Sequence, residues 1–126
     1  MKYSINAPNA PEPSGPYSQG TTAGRLIFTS GQLPLDPNDA HRIIEGGIQD
    51  QTERVIQIII DLLSEVSCTL ADVAKTTVYL SSLDDLAAFD EVYERYFPVP
   101  SPSRSVVEVC ALPMGSLIEM DCIACR

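Results

Sequence analysis

The chain has 126 residues, enough for one compact domain over 1–126 and too few for two ordinary ones, and it can bury a core without disulfides or a metal. Eight Lys+Arg stand against seventeen Asp+Glu, a formal net charge of −9. With no Lys/Arg cluster, this balance argues against nucleic acid and an anionic membrane surface as partners, but leaves room for a small anion held by one arginine in a cleft.

Residues 1–16 are polar and proline-rich and carry no signal-peptide apolar segment. The longest apolar run, 55–63, is interrupted by Gln57 and Asp61 and is too short to cross a bilayer. A soluble, cytoplasmic protein is expected.

Residues 2–5 read as a short edge strand and 7–15 as a proline-rich connection. Gly15-Pro16 bends the chain and presents Tyr17, Ser18 and Gln19; from spacing alone this is a surface loop with Tyr17 half-buried. Residues 25–29 form a strand with Leu26 and Phe28 on one face and Ile27 on the other, running into Thr29-Ser30-Gly31-Gln32. There Gly31 either frees backbone N–H groups for an acceptor or turns the chain. Residues 33–39 read as a loop containing Pro34 and Pro37, and 42–45 as a short returning strand.

Residues 48–66 form a long helix, with Ile48, Val55, Ile56, Ile59, Leu62 and Leu63 on its buried side and Asp50, Glu53, Gln57 and Asp61 on its wet side. A strand over 73–80 follows, rich in Thr, Val and Tyr. Ser82 caps a second helix whose stripe is Leu86, Phe89, Tyr93, Tyr96 and Phe97; Pro98 stops it. Asp84, Asp85, Asp90, Glu91 and Glu94 read mostly as its solvated face.

Residues 102–113 alternate apolar and polar groups, a strand with Arg104 near its start. That arginine is either a surface charge or an anion receptor, since a guanidinium fork fits a carboxylate bidentately. After a turn at 112–115, residues 116–124 return as the last strand, with Ile118, Met120, Cys122 and Ala124 on one face and Glu119 and Asp121 on the other. The order β-β-(β)-α-β-α-β-β predicts an α+β fold, one mixed sheet with two helices on one face. The second face, expected to carry apolar groups together with Arg104 and Glu119, calls for a partner and hence a homo-oligomer.

The four cysteines are Cys68, Cys110, Cys122 and Cys125. Cys122 and Cys125 have C-x-x-C spacing, but no second pair exists, the only histidine (His41) is distant, and residues three apart in a strand point to opposite faces. Free thiols and no metal site are expected.

Four segments now read together: 15–19 (Gly-Pro-Tyr-Ser-Gln), 28–34 (Phe-Thr-Ser-Gly-Gln-Leu-Pro), 73–80 (Val-Ala-Lys-Thr-Thr-Val-Tyr-Leu), and Pro102-Ser103-Arg104-Ser105 continuing through Leu112-Pro113 to Ile118-Glu119-Met120-Asp121. Their order and spacing resemble the RidA/YjgF family of enamine/imine deaminases over almost the whole chain. The resemblance implies a chorismate-mutase-like fold and a homotrimer whose sheets form a central barrel, with pockets at subunit interfaces. It implies hydrolysis of 2-aminoacrylate, 2-iminopropanoate or 2-iminobutanoate to a 2-keto acid and ammonia, without metal or organic cofactor.

Carried over by position, Arg104 would bind the substrate carboxylate, and Glu119 would hold or activate water or relay a proton. Tyr17, Ser30, Gly31 and the backbone of Val106 would line the pocket. Val106 stands where the family often has cysteine, which argues against thiol chemistry there. Ser103 replaces the usual alanine, and Asp90 stands where asparagine is frequent and receives no role. Proximity to Arg104 would favour the ionised form of Glu119; from the residues alone, Glu119 reads as a structural partner of an arginine. Two further readings use the same residues differently: a non-catalytic trimer that binds small keto or amino acids through Arg104, and a structural or chaperone-like trimer. A ribonuclease is opposed by the −9 charge and by a single histidine expected in a loop.

Overall fold

A computed structural model describes residues 1–126. The strands β1 (Lys2–Ile5), β2 (Gly20–Ala23) and β3 (Leu26–Thr29) form an antiparallel meander; β4 (Leu35–Asp36) and β5 (Asp39–Ile43) pair as a separate ribbon. Helix α1 (Ile48–Ser64), strand β6 (Val73–Leu80), helix α2 (Leu86–Tyr96), strand β7 (Ser103–Glu108) and strand β8 (Ile118–Cys125) complete the chain. The main sheet has six strands in the order β1-β2-β3-β8-β6-β7. Only β6 and β7 are parallel, joined through α2. β8 inserts antiparallel between β3 and β6. This is the expected mixed α+β architecture.

Side-chain alternation along β8 organises the layers. Ile118, Met120, Cys122 and Ala124 are buried, as are Thr76, Val78 and Leu80 beside them on β6. Against them lie Val55, Ile56, Ile59, Leu62 and Leu63 of α1 and Phe89, Val92 and Tyr93 of α2. Polar groups inside this layer are matched: Tyr93 and Thr76 hydroxyls meet at 2.8 Å, and the buried Gln51 accepts the Leu117 N–H at 2.8 Å. The opposite face of the sheet is only half covered. It carries Phe28, Tyr79, Glu119, Asp121 and Ile123, with Val107 43% exposed at its edge.

Local chemistry sets the element ends. The Asp50 carboxylate accepts the Gly47 N–H ahead of α1. The helix stops at Ser64, two residues before the end predicted from its apolar spacing: Ser67 takes a left-handed φ of 59°, and the Cys68 N–H returns to the Leu63 carbonyl at 2.9 Å. Ser82 does cap, accepting the Asp84 N–H at 3.2 Å, but opens a short 3₁₀ turn before α2 begins.

Four expectations are corrected. β2 went unrecognised because Gly20-Thr21-Thr22-Ala23 carries no bulky apolar residue; a tight turn through Gly24, with φ 61°, pairs it with β3. Residues 33–39 are not wholly loop, since β4 lies within them, and His41 lies in β5 rather than in a loop. Arg104 does not share the open face with Glu119. It registers with Thr76 on the helix-facing side, whereas Glu119 registers with Tyr79 on the open side.

The two cysteines of the C-x-x-C spacing also separate. Cys122 is buried with its thiol pushed up to about 12 by desolvation, while Cys125 is exposed. Cys68 is buried and Cys110 exposed. A thiol titration of the native protein is therefore expected to show two fast groups, Cys110 and Cys125, and two that react only on unfolding. Four equally fast thiols would contradict the burial of Cys122.

Candidate functional site

Arg104 is the second residue of β7, an edge strand paired only with β6. Its side chain runs over α2. The guanidinium carbon lies 4.9 Å from the Tyr93 ring centre and 5.6 Å from that of Phe89. Arg104 Nη1 donates to Asp90 Oδ1 at 2.6 Å. The guanidinium is thus stacked on one side and tied at one nitrogen, with its side chain still 28% exposed. Tyr93 is in turn stacked on Phe97, with ring centres 4.3 Å apart. Burial pushes the Tyr93 hydroxyl up, although its bond to Thr76 and the Arg104 charge pull the other way. Asp90, Tyr93, Glu94, Phe97, Ser101 and Arg104 line a cavity of about 410 Å³. Val106 is half-buried two residues along the same strand, on the side of Arg104.

A second group forms where the segment after β3 meets β8. Gln32 and Met120 exchange both backbone hydrogen bonds, at 2.8 and 3.2 Å. This clamp brings Gly31 against the neighbouring Glu119, so closely that any β-carbon at position 31 would collide with the Glu119 carboxylate. Ser30 is fixed by its N–H to the Gln19 carbonyl at 2.9 Å and by its hydroxyl to the Ser18 carbonyl at 2.6 Å.

Gln19 is buried and holds the proline-rich loop: its Oε1 accepts the Ala7 N–H at 2.7 Å, and its Nε2 donates toward the carbonyls of Ala7, Ala10 and Pro11 at 3.2, 3.3 and 3.0 Å. Tyr17 is 53% exposed rather than half-buried in a packed loop. Its hydroxyl accepts the Ser14 N–H at 3.3 Å and lies 3.3 Å from the Ser14 hydroxyl. Tyr17, Ser14, Gly31, Gln32, His41 and Met114 border a cavity of about 280 Å³.

Glu119 behaves differently from the expectation that Arg104 would hold it ionised. Burial is the main influence and raises its carboxyl above the ordinary 4.5; Asp121, two residues away on the same face, raises it further. Asp121 is also raised by burial, with Lys75 opposing. Glu119 forms no ion pair with an arginine; the cations that pair with carboxylates are Arg42, with Asp36, and Arg104, with Asp90.

The six residues singled out in the sequence therefore fall into two groups. Arg104 and Val106 stand on the helix-facing side of β7; Tyr17, Ser30, Gly31 and Glu119 gather around the loop–β8 clamp. Sequence reading missed Asp90 and Tyr93 as partners of Arg104, because both fit an ordinary helix, one on its wet side and one on its buried stripe. It also missed Gln19 as the organiser of the loop. A polar residue directly after Tyr17-Ser18, facing a run of prolines that leaves carbonyls without local partners, was the available signal.

The family model described as Endoribonuclease L-PSP matches residues 7–126. A RutC family protein of Pyrococcus abyssi is 47% identical, covering 98% of this chain and 96% of its own. The 2-iminobutanoate/2-iminopropanoate deaminase of Homo sapiens is 34% identical over 95% of this chain and 87% of its own. The crystal structure of E. coli TdcF with bound serine superposes with a TM-score of 0.91 at 32% identity, covering 98% of each chain. The chain belongs to this family, the RidA/YjgF or RutC family of small α+β proteins.

Two substitutions probe the clamp. Glu119→Gln is expected to raise thermal stability at neutral pH. Within the chain the fold disfavours the ionised carboxylate, so the contribution of this group to stability is fully present below the ordinary value of 4.5 and is lost as pH rises through the elevated one. The gain should vanish below pH 4.5. A gain independent of pH would contradict the assignment. Gly31→Ala is expected to leave the melting temperature nearly unchanged, because the Glu119 side chain can swing aside, while displacing the carboxylate.

Proposed function

We propose that the protein is a hydrolytic deaminase of reactive enamine and imine acids such as 2-aminoacrylate, 2-iminopropanoate and 2-iminobutanoate, releasing 2-keto acids and ammonia. It would act in the cytoplasm as a single-domain protein over residues 1–126, without metal or organic cofactor. The observation that carries this reading is a guanidinium at a cavity mouth on an edge strand, complemented by a separate, partly desolvated carboxylate lodged against a glycine. One chain holds the two on opposite faces of its sheet.

A homotrimer joins them. Three open faces, each bearing Phe28, Tyr79, Ile123 and Val107, cover one another in a central chorismate-mutase-like barrel. Each interface then sets Arg104 and Val106 of one protomer beside Tyr17, Ser30, Gly31 and Glu119 of the next. The half-covered apolar face supports this assembly.

The chemistry follows from these groups. Arg104 binds the substrate carboxylate through the donors that Asp90 leaves open, fixing the imine carbon; Tyr17, the Ser30–Gly31 backbone and the Val106 backbone confine it. The imine reacts in its protonated form, which 2-aminoacrylate reaches by taking a proton at its methylene carbon, and water adds to the electrophilic carbon as ionised Glu119 accepts one of its protons. Within one chain burial raises that carboxyl, and Arg104 of the neighbour opposes the rise, keeping available the ionised form that serves as base. The proton passes to the nitrogen, the C–N bond breaks with its electron pair leaving on ammonia, and the hydroxyl proton is lost as the carbonyl forms. The human relative's name supports the reaction class. The net charge of −9 weighs against an RNA substrate, despite the name of the family model.

A second reading, a non-catalytic binder of small amino or keto acids, is favoured by one observation: a relative holds serine. Coupled turnover of freshly generated 2-iminobutanoate separates the two. Wild type is expected to accelerate keto-acid release, with Arg104→Ala lowering kcat/KM on the order of a hundredfold in a correctly assembled oligomer. Gly31→Ala should lose at least about tenfold through misplacement of Glu119. Tight ligand binding with no wild-type turnover would establish the binder instead.

A further inference from the structure

The cavity at Arg104 is richer in negative than in positive charge. Asp90 and Glu94 both line it, and Arg104 is its only cation. The two acids lie four residues apart on α2 and so share one face of that helix. Asp90 already occupies Nη1 at 2.6 Å. The guanidinium carbon lies over the Phe89 and Tyr93 rings, at 5.6 and 4.9 Å, and its other nitrogens carry no hydrogen bond within the chain. A ligand carboxylate on the remaining donors therefore sits next to the Asp90 carboxylate, and two carboxylates share one positive charge. An anionic keto acid meets that repulsion uncompensated. A 2-amino acid or a protonated 2-imino acid carries a cationic nitrogen one carbon from its carboxylate, and that cation offsets Asp90 and Glu94.

We propose that Asp90 is a specificity-determining residue that makes the Arg104 site select zwitterionic 2-amino and 2-iminio acids over anionic 2-keto acids. The proposal rests on Arg104 as carboxylate anchor, as in the function above. It also gives the hydrolysis a direction of traffic: the substrate enters as a zwitterion, and the product, having lost its nitrogen, becomes a monoanion that the same two acids expel.

The test is calorimetric titration with L-2-aminobutyrate and 2-ketobutyrate, which share a carbon skeleton, on wild type, Asp90→Asn, Glu94→Gln and Arg104→Ala, each verified as the same oligomer. Asp90→Asn keeps an oxygen acceptor for Arg104 and removes only the charge. Wild type is expected to bind the amino acid more tightly. Asp90→Asn should tighten the keto acid about fivefold and weaken the amino acid, so that the ratio of affinities narrows roughly tenfold.

Glu94→Gln, which leaves the Arg104 contact intact, should shift the ratio the same way but less. A ratio unchanged in Asp90→Asn, or both ligands moving together as a purely positional role requires, overturns the proposal. If that happens while Arg104→Ala abolishes both bindings, the anchor reading survives alone. If Arg104→Ala binds both ligands like wild type, the anchor reading falls and takes this proposal with it.

Discussion

The two-residue period of the β-strand is the constraint on which the site depends. Thr76 and Tyr79 lie three apart on β6 and therefore point to opposite sides of the sheet. Arg104 is in register with the first and Glu119 with the second. No side-chain rotation carries either group through a hydrogen-bonded sheet. A chain that needs both for one reaction has to obtain one of them from a neighbour. That requirement ties the chemistry to the half-covered sheet face, which by itself leaves Tyr79, Ile123 and Phe28 only partly removed from water.

Each half of the site is built with its own support. On the helix side, aromatic stacking holds the guanidinium: Arg104 rests on Tyr93, Tyr93 on Phe97, and the Tyr93 hydroxyl is fixed by Thr76. On the other side, backbone geometry does the holding. The Gln32–Met120 bridge sets how closely the loop approaches β8, and the missing side chain at Gly31 leaves space for the Glu119 carboxylate. Gln19 anchors the loop that carries Tyr17 by satisfying three carbonyls and one N–H from residues 7–11. The electrostatics differ accordingly. Within one chain the arginine is paired to a carboxylate, while the half-buried glutamate is raised by desolvation and by Asp121 and holds its proton more tightly.

Much of this was legible in the sequence. Alternation identified β8 and its buried face residue by residue, and 3.6-residue spacing identified α1 and α2, because burial on one face leaves a periodic trace. What left no trace was anything set by tertiary pairing. β2 has no apolar residue large enough to signal a strand and exists because β1 and β3 flank it. Asp90 resembles any wet helix residue until β7 brings Arg104 beside it. The face of Arg104 was misassigned because alternation within one strand gives relative, not absolute, orientation; only its register with β6 fixes which side is which.

The central claim is that Arg104 and Glu119 act together only across an interface between copies of the chain. Subunit complementation tests it most directly. Arg104→Ala and Glu119→Gln proteins, each inactive alone, are mixed, dissociated and reassembled. If the site is shared, random mixing at equal amounts unites an intact Arg104 with an intact Glu119 of the neighbour in about one quarter of the interfaces, and 2-iminobutanoate turnover should return to about that fraction of wild type. Activity that stays at the level of the two parents after confirmed subunit exchange would contradict the account, because it would mean that both groups must come from the same chain.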